Sequence, residues 1–313
     1  MSLASKFSNL WNEIGVVAQR TGRSKLYHIA DAVGAFIAHG MNVREYVVGK
    51  GYLLNGYQRR NMVTLRRWEK NIHPSFNDPR CEKILLDKGE FDSYFKKFIR
   101  RDWIDTRKES PEDIRAFIEK HGRVIVKPFD EMQGKGIHII SHYSDKYASG
   151  EYMMEQLIRQ NRKMVLNNKS INTIRVYTIL DGEGNPHIIK ALLRAGVGDA
   201  IVDNAHAGGM VYPLNLEKGI VEGYGKDSGY YKEYLYHPGS DIVMLGFQVP
   251  YWDKVKETVM EAAKMLPQVR NIGWDVAILE DGVELVEGNH NAGLEYLEFV
   301  GSRGHYKEIM AYK

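Results

Sequence analysis

Three oxygen-bearing side chains, Asp275, Glu287 and Asn289, stand at the outer ends of two apolar runs that flank Asp281-Gly282. An Asp-Gly pair between two such runs is typical of a β-hairpin. A strand that is apolar on both faces excludes an unpaired carboxylate, because removing that charge from water costs several kcal/mol. The pattern therefore indicates either a cation between these side chains or a strand end that opens into a cleft.

The length of the hairpin loop decides whether the two carboxylates share a face. Side chains alternate along a strand, and Asp275 and Glu287 are an even number of positions apart, so an odd-length loop lets them face each other. A three-residue loop, 280–282, with Gly282 in the left-handed conformation, pairs Asp275 with Glu287, Ala277 with Leu285 and Leu279 with Val283. A two-residue Asp-Gly turn puts the carboxylates on opposite faces. Alternation alone does not decide between the two loop lengths. We expect the three-residue loop on functional grounds, because it lets the two carboxylates face each other.

A second group of candidate binding residues lies in "VIVKPFDEMQGKGI", residues 124–137. An apolar run ends there in Lys127-Pro128, and the turn Gly134-Lys135-Gly136 follows. Glycines let backbone N–H groups approach phosphate oxygens closely, and lysines add positive charge. The spacing is not that of a Walker A loop, and a strand rather than a helix follows. This motif alone does not distinguish a phosphate-binding loop from an ordinary hairpin turn.

The elements that position these groups are helical before residue 75 and mostly strands after residue 120. Helical periodicity marks "FSNLWNEIGVVAQR", "KLYHIADAVGAFIAHG" and "YQRRNMVTLRRWEKN". A capped helix is predicted for "SPEDIRAFIEKHG", and an amphipathic helix for "PYWDKVKETVMEAAKML". Strands are predicted for "RVIVKP", "GIHIIS", "YMMEQLI", "NTIRVYTIL" and "HIIKALLRAG". The fold class is therefore α+β with a helical N-terminal region.

Composition narrows the class of protein. The chain has 313 residues, 43% of them hydrophobic and 27% charged, which is ordinary globular composition. A single cysteine, Cys81, excludes an intrachain disulfide framework and a multi-cysteine zinc site. No apolar run approaches the roughly 18 residues of a membrane span, and the first residues lack the apolar block of a signal peptide. We expect a cytoplasmic protein without a membrane span.

Positive charge is concentrated in the helical N-terminal region. Residues 1–75 contain 11 Lys and Arg against 4 Asp and Glu. Such a region could meet nucleic acid, a membrane surface or an anionic substrate. An ordinary solvated basic helix surface is the favoured interpretation, and we expect no nucleic-acid partner.

In order along the chain, the strand ending in Lys-Pro, the Gly-rich loop, the acidic strand "MMEQLI" and the Asp…Glu-x-Asn hairpin resemble the ATP-grasp superfamily. Residues 75–300 also look like its sugar-transfer-associated branch, through "LLDKGEFDSYFKKF", "SINTIRVYTI", "VDNAHAGGMVYPL" and "VELVEGNHNAG". The resemblance implies an α+β ATP-grasp fold, with two lobes enclosing ATP behind the helical region. It divides the chain into a helical region at 1–75, a first lobe at 76–170 and a second lobe at 171–313.

The resemblance also assigns roles to residues of this chain. Asp275, Glu287 and Asn289 would hold Mg²⁺, with Mn²⁺ as an alternative, because hard cations take oxygen ligands. The nucleotide would be bound by Lys88, Lys127, Gly134, Lys135, Gly136, Glu155, Gln156 and Leu157. Of these, the residues 155–157 would form the hinge beside the adenine. Arg175 and Arg194 would stabilise a transferring phosphoryl group, although a structural ion pair is open for each. Asn204, His206, Gly208 and Gly209 would line the acceptor site.

The activity that this resemblance implies is an ATP-dependent ligase that joins a small-molecule or sugar-linked carboxylate to an amine through an acylphosphate. Glycan or glycoconjugate modification, as in polysaccharide biosynthesis, is the setting that it suggests. A small-molecule or sugar kinase on the same nucleotide cradle is the first alternative. A non-catalytic nucleotide- or polyanion-binding module is the second. The intact set of three oxygen ligands disfavours that module, since binding alone does not require it. The oligomeric state is open.

Overall fold

The structure is a computed structural model that describes residues 3–129, 136–166, 170–198, 208–227, 229, 232–291 and 293–313. The chain separates into two compact units. Unit 1 comprises residues 1–76, 229–232 and 293–313, and unit 2 comprises residues 77–228 and 233–292. The division at residues 75 and 170 that the sequence suggests stays a prediction.

The α-helices, in chain order, are α1 Leu3–Thr21, α2 Lys25–His39, α3 Val43–Val47, α4 Gly56–Asn61, α5 Leu65–Arg67, α6 His73–Phe76, α7 Lys83–Leu86, α8 Lys88–Tyr94, α9 Pro111–His121, α10 Trp252–Met265, α11 Leu294–Phe299 and α12 Tyr306–Ala311. Short 3₁₀ segments cover Gly51–Leu53, Lys96–Phe98, Asp145–Ala148 and Arg162–Met164, and a π-helical turn covers Trp68–Ile72. No helix in the described ranges combines the length and apolar composition needed to cross a membrane.

Unit 1 joins the helical N-terminal region to the last two helices of the chain. The buried carboxylate of Glu298, in α11, accepts backbone N–H groups of Val63, Gly304 and His305 at 2.9–3.2 Å. The helix predicted through "YQRRNMVTLRRWEKN" is wrong as one element. Met62 is extended (φ −72°, ψ 136°), and Thr64 begins a new helix by accepting the N–H of Arg67.

Unit 2 contains two antiparallel sheets. The strands in chain order are β1 Trp103–Asp105, β2 Val124–Pro128, β3 His138–Ile140, β4 Tyr152–Gln156, β5 Thr173–Leu180, β6 Pro186–Ala195, β7 Met210–Pro213, β8 Gly225–Lys226, β9 Glu233–Tyr234, β10 Asn271–Leu279 and β11 Gly282–Asn289. The first sheet has the order β1-β4-β2-β3, and the second has the order β11-β10-β5-β6-β7-β8-β9. The predicted α+β class with helices first is confirmed.

The helices α9 and α10 pack as their sequence patterns predict. Ser110 caps α9 in a capping box with Asp113, and Ile114, Phe117 and Ile118 pack with Val124, Val126 and Met154 of the first sheet. The apolar face of α10 (Val255, Val259, Ala262, Ala263) belongs to the core on the second sheet, with Trp274 and Val276 of β10. These two cores support the strands that carry the candidate site.

In the hairpin β10–β11, Asp275 pairs with Glu287 as predicted, but a different loop and a β-bulge produce this pairing. The loop is two residues long, Glu280-Asp281, because Leu279 pairs with Gly282. The predicted partners of Ala277 and Leu279 are therefore wrong. Gly282 has φ 152°, a positive value that favours glycine but lies far from the left-handed helical value. A β-bulge then inserts Val286 between the pairs Val276–Leu285 and Asp275–Glu287. Without this extra residue, Asp275 would oppose Val286 and Glu287 would face away.

Candidate functional site

Asp275 lies at the centre of the predicted metal-binding group. It sits on β10, opposite Glu287 on β11 and opposite Arg175 on β5. The guanidinium of Arg175 donates from Nε to Oδ1 at 2.5 Å and from Nη2 to Oδ2 at 3.0 Å. Arg194, on β6, donates from Nη1 to Oδ2 at 2.5 Å. Burial opposes ionisation, but the two arginines outweigh it and hold the pKa of Asp275 well below its usual range.

Glu287 differs from Asp275 because its side chain remains accessible to solvent. Asn289, two residues along the same strand, donates from Nδ2 to Oε1 of Glu287 at 3.1 Å. Desolvation by the surrounding protein and the negative charge of Asp275 raise the pKa of Glu287. The three predicted oxygen ligands are thus next to one another. An accessible carboxylate held beside a buried one suits a cation, since that cation would relieve their repulsion.

The two predicted phosphate-side lysines also come together. Lys127, on β2, donates from Nζ to both carboxylate oxygens of Glu155 on β4, at 2.6 and 2.7 Å. Lys88, the first residue of α8, donates from Nζ to the carbonyl of Pro128 at 2.7 Å. Desolvation and the charge of Lys127 lower the pKa of Lys88, while Glu287 and Glu155 oppose that change. Electrostatic interaction therefore links the lysine group to the carboxylate group.

Pairing within the first sheet limits which backbone groups of the predicted hinge, residues 155–157, could bind an adenine. Glu155 pairs with Trp103 of β1 and with Ile125 of β2, so both edges of its backbone lie inside the sheet. The N–H of Gln156 donates to the carbonyl of Asp102 at 2.8 Å. Leu157 follows the last residue of β4 and is half-buried. Within the stretch 155–157, Leu157 is the residue whose backbone lies beyond the strand ladder.

The predicted Gly-rich loop and acceptor segment are only partly described. Gly134, Lys135, Asn204 and His206 lie outside the described residues. Gly136 has φ 69°, a left-handed conformation that favours glycine. Gly208 has φ 90°, and Gly208-Gly209 lead directly into β7, where Val211 pairs with Arg194 of β6. These glycines therefore adjoin the strand that carries Arg194.

Sequence reasoning missed Arg101, which connects the parts of the site. Its buried guanidinium donates from Nε to Glu155 Oε2 at 2.6 Å and from Nη2 to both oxygens of Asp92, in α8, at 3.0 and 3.2 Å. Burial opposes ionisation of Glu155, but Arg101 and Lys127 outweigh it and lower the pKa of Glu155. Desolvation and the charge of Glu155 raise the pKa of Asp92.

Arg101 also contacts the bulge that places Glu287. Its Nη1 donates to the carbonyl of Leu285 at 2.8 Å, and its Nη2 lies 3.5 Å from the carbonyl of Val286. The strand β11 is an edge strand, so a donor from outside the sheet is needed to satisfy such carbonyls. The buried carboxylate of Glu284 in turn accepts the backbone N–H of Arg101 at 3.0 Å. One arginine thus links Lys127, through Glu155, to the strand that carries Glu287.

Comparison with known proteins identifies the family of the chain and its fold. The sequence model of the sugar-transfer-associated ATP-grasp family matches residues 142–312, more than half of the chain. The chain belongs to that family, and the predicted ATP-grasp fold is confirmed. No curated protein matches the chain by sequence.

Solved structures with a similar fold include the ATP-grasp ligase PsnB, in complex with a phosphomimetic variant of a minimal precursor, Mg and ADP. It is 18% identical, with a TM-score of 0.44, and the match covers 89% of this chain and 73% of that chain. D-alanyl-alanine synthetase A from Vibrio cholerae is 12% identical, with a TM-score of 0.41, covering 75% of this chain and 62% of that chain. At these values neither similarity carries an inference about substrates.

We predict that replacing Arg101 by methionine destabilises the protein by about 3–5 kcal/mol, because Glu155 and Asp92 lose a buried partner. The adjacent Arg100 is the matched control. Its ion pair with Asp281 is solvent-exposed, so Arg100→Met should cost no more than about 1 kcal/mol. Urea unfolding of both variants measures the difference. Equal effects of the two substitutions would contradict the central position of Arg101.

We also predict a pH-dependent stability that Glu287 causes. Its pKa is raised in the folded state, so the folded protein binds a proton more tightly than the unfolded chain, in which the pKa has its ordinary value of 4.5. Without metal, the free energy of unfolding should therefore fall as pH rises above that value. Glu287→Gln should remove this contribution and gain stability relative to the wild type as pH rises. Urea unfolding in a chelator across this pH range tests it, and a difference that shrinks with rising pH would contradict the assignment.

Proposed function

We propose that this chain is an ATP-dependent ligase that joins a carboxylate to an amine, with glycan or glycoconjugate modification as its setting. The observation that carries the proposal is the convergence of an accessible carboxylate, a buried carboxylate held by two arginines, and two lysines at one site. The carboxylates and arginines lie within the family-matched residues 142–312. This combination of oxygen ligands and cations suits a metal–triphosphate complex better than either partner alone.

The balance of charge at the site supports a metal-bound nucleotide. Five acidic side chains and five basic ones meet there: Asp92, Glu155, Asp275, Glu284 and Glu287 with Lys88, Lys127, Arg101, Arg175 and Arg194. When all ten groups are ionised their charges compensate one another, and a bare triphosphate would then add uncompensated negative charge. A divalent cation arriving with the nucleotide restores the balance.

The residues present fit such a complex. Asp275, Glu287 and Asn289 would hold Mg²⁺ or Mn²⁺, which when bound supplies positive charge to the phosphate oxygens. Lys127 would contact the α-phosphate. Its ammonium has three donors, so pairing with Glu155 leaves capacity for a phosphate oxygen. Lys88 and the loop 134–136 would bind the remaining phosphates, and Glu155–Leu157 would adjoin the adenine, with Leu157 offering backbone groups.

The reaction would proceed in two balanced steps. An oxygen of the substrate carboxylate attacks the γ-phosphorus, the bond to the β-phosphate oxygen breaks, and ADP leaves. The amine nitrogen then attacks the carbonyl carbon of the acylphosphate, phosphate leaves, and the nitrogen loses a proton. Arg175 and Arg194, held in place by Asp275, would face the charge that develops during transfer. Asn204, His206, Gly208 and Gly209 would line the acceptor site.

A coupled assay of ADP and phosphate release tests the reaction, over carboxylates crossed with amines and including uronic-acid sugars and amino acids. We expect ADP and phosphate in equal amounts, only with both substrates and Mg²⁺. Glu287→Gln should reduce turnover on the order of a hundredfold or more, because metal ligation supplies several kcal/mol. The matched control is Glu280→Gln, an exposed residue of the same hairpin, which should retain activity.

Two outcomes would contradict the ligase. ADP without phosphate, together with a phosphorylated acceptor, would identify a kinase. Tight nucleotide binding without turnover for any substrate pair would identify a binding module. Full activity of Glu287→Gln would separately contradict the metal-binding role of that residue.

A further inference from the structure

The helix α2 in unit 1 has its polar side chains turned inward. His28 is buried, and its ring nitrogens contact Tyr46 Oη at 2.8 Å and Thr21 Oγ1 at 2.6 Å. Tyr46 donates to Asp31 at 2.8 Å, and Arg59 donates to both oxygens of Asp31 at 2.6 and 2.7 Å. A surface helix ordinarily buries its apolar side and exposes its polar side. In α2, the hydrogen-bonded network occupies the inner side instead.

The opposite side of α2 is apolar and exposed. Leu26 is 72% exposed, Val33 52% and Ile37 73%. At 100° per residue these positions fall within one narrow stripe, roughly opposite His28. Phe36 is 54% exposed at one margin of the stripe. Scattered exposed apolar residues are normal on protein surfaces, but a continuous apolar stripe on a helix marks a contact surface.

Positive side chains lie at both ends of this stripe. At the N-terminal end of α2, the guanidinium of Arg23 lies 4.4 Å from the ring centre of Tyr27. Lys25 Nζ lies 4.7 Å from the ring centre of Trp11, which is exposed on α1. At the C-terminal end, Arg66 packs beside Gly40. Asp31 is the only acidic residue of α2, and Arg59 neutralises it.

We propose that the outward side of α2, together with Trp11, binds the surface of an anionic lipid bilayer, with the helix lying in the plane of the interface. An apolar stripe bordered by Lys and Arg, with Trp or Tyr at its margin, has the chemistry of an interfacial helix. A second copy of this chain fits less well. The 15 residues of α2 span about 22 Å, so at a helix diameter of about 10 Å one side covers only about 220 Å². A stable interface buries roughly 800 Å² per partner. Two copies would also bring like charges together.

Co-sedimentation of the full chain with vesicles tests this surface, using phosphatidylcholine alone and phosphatidylcholine mixed with phosphatidylglycerol. We expect partitioning onto the mixed vesicles, weakened by salt because surface attraction is screened. The double variant Leu26→Gln/Ile37→Gln should lower the partition coefficient roughly tenfold or more, because it removes two apolar side chains from the contact. Its melting temperature should stay unchanged, since both side chains are mostly exposed in the free protein.

The matched control is Leu86→Gln/Leu245→Gln, which changes two leucines of unit 2 that are about half exposed. This control should partition like the wild type. Three results would overturn the proposal: no partitioning onto anionic vesicles, equal partitioning onto neutral ones, or undiminished binding by Leu26→Gln/Ile37→Gln. A wild-type dimer that this variant dissociates would assign the surface to a second copy instead. None of these results depends on the ligase activity, which is assayed without vesicles.

Discussion

The opposition of two carboxylates across the strands β10 and β11 is the constraint on which the candidate site depends. Asp275 and Glu287 face each other only because Val286 bulges out of the ladder. Two like charges on directly paired residues raise the free energy of the protein unless a cation compensates them. Arg175 and Arg194 compensate Asp275 from the neighbouring strands. The charge of Glu287 is the one that a bound metal would balance.

The remainder of the site follows from the same requirement that buried charges be paired. Arg101 contacts Glu155, Asp92 and the carbonyl of Leu285, so it joins the first sheet, α8 and the edge of the second sheet. Glu155 in turn orients Lys127. Lys127 and the strand β11, which carries Glu287, are therefore held by one ionic network. Such a network preorganises a site, since its members are positioned before any ligand arrives.

The sequence predicts those features that depend on local pattern. The capped helix α9 and the amphipathic helix α10 are examples, whereas the opposition of Asp275 and Glu287 is expected on functional grounds rather than from alternation. The predicted loop of the hairpin is wrong, because Val276, Ile278 and Val286 make both faces apolar, and alternation then gives no information about a bulge. The sequence does not indicate the role of Arg101, because Glu155 and Leu285, which it connects, are far from it along the chain. Its neighbour Arg100 has the same side chain but is exposed in an ion pair with Asp281. Likewise, helical periodicity identifies α2 without showing that its apolar side faces solvent.

Diffraction from crystals of the chain with Mn²⁺ and a non-hydrolysable ATP analogue tests the central claim most directly, because Mn²⁺ is located by its anomalous signal. We expect a Mn²⁺ peak in contact with carboxylate oxygens of both Asp275 and Glu287, and a phosphate oxygen beside Lys127 Nζ. A peak elsewhere, with Asp275 still bound only by Arg175 and Arg194, would contradict the metal site.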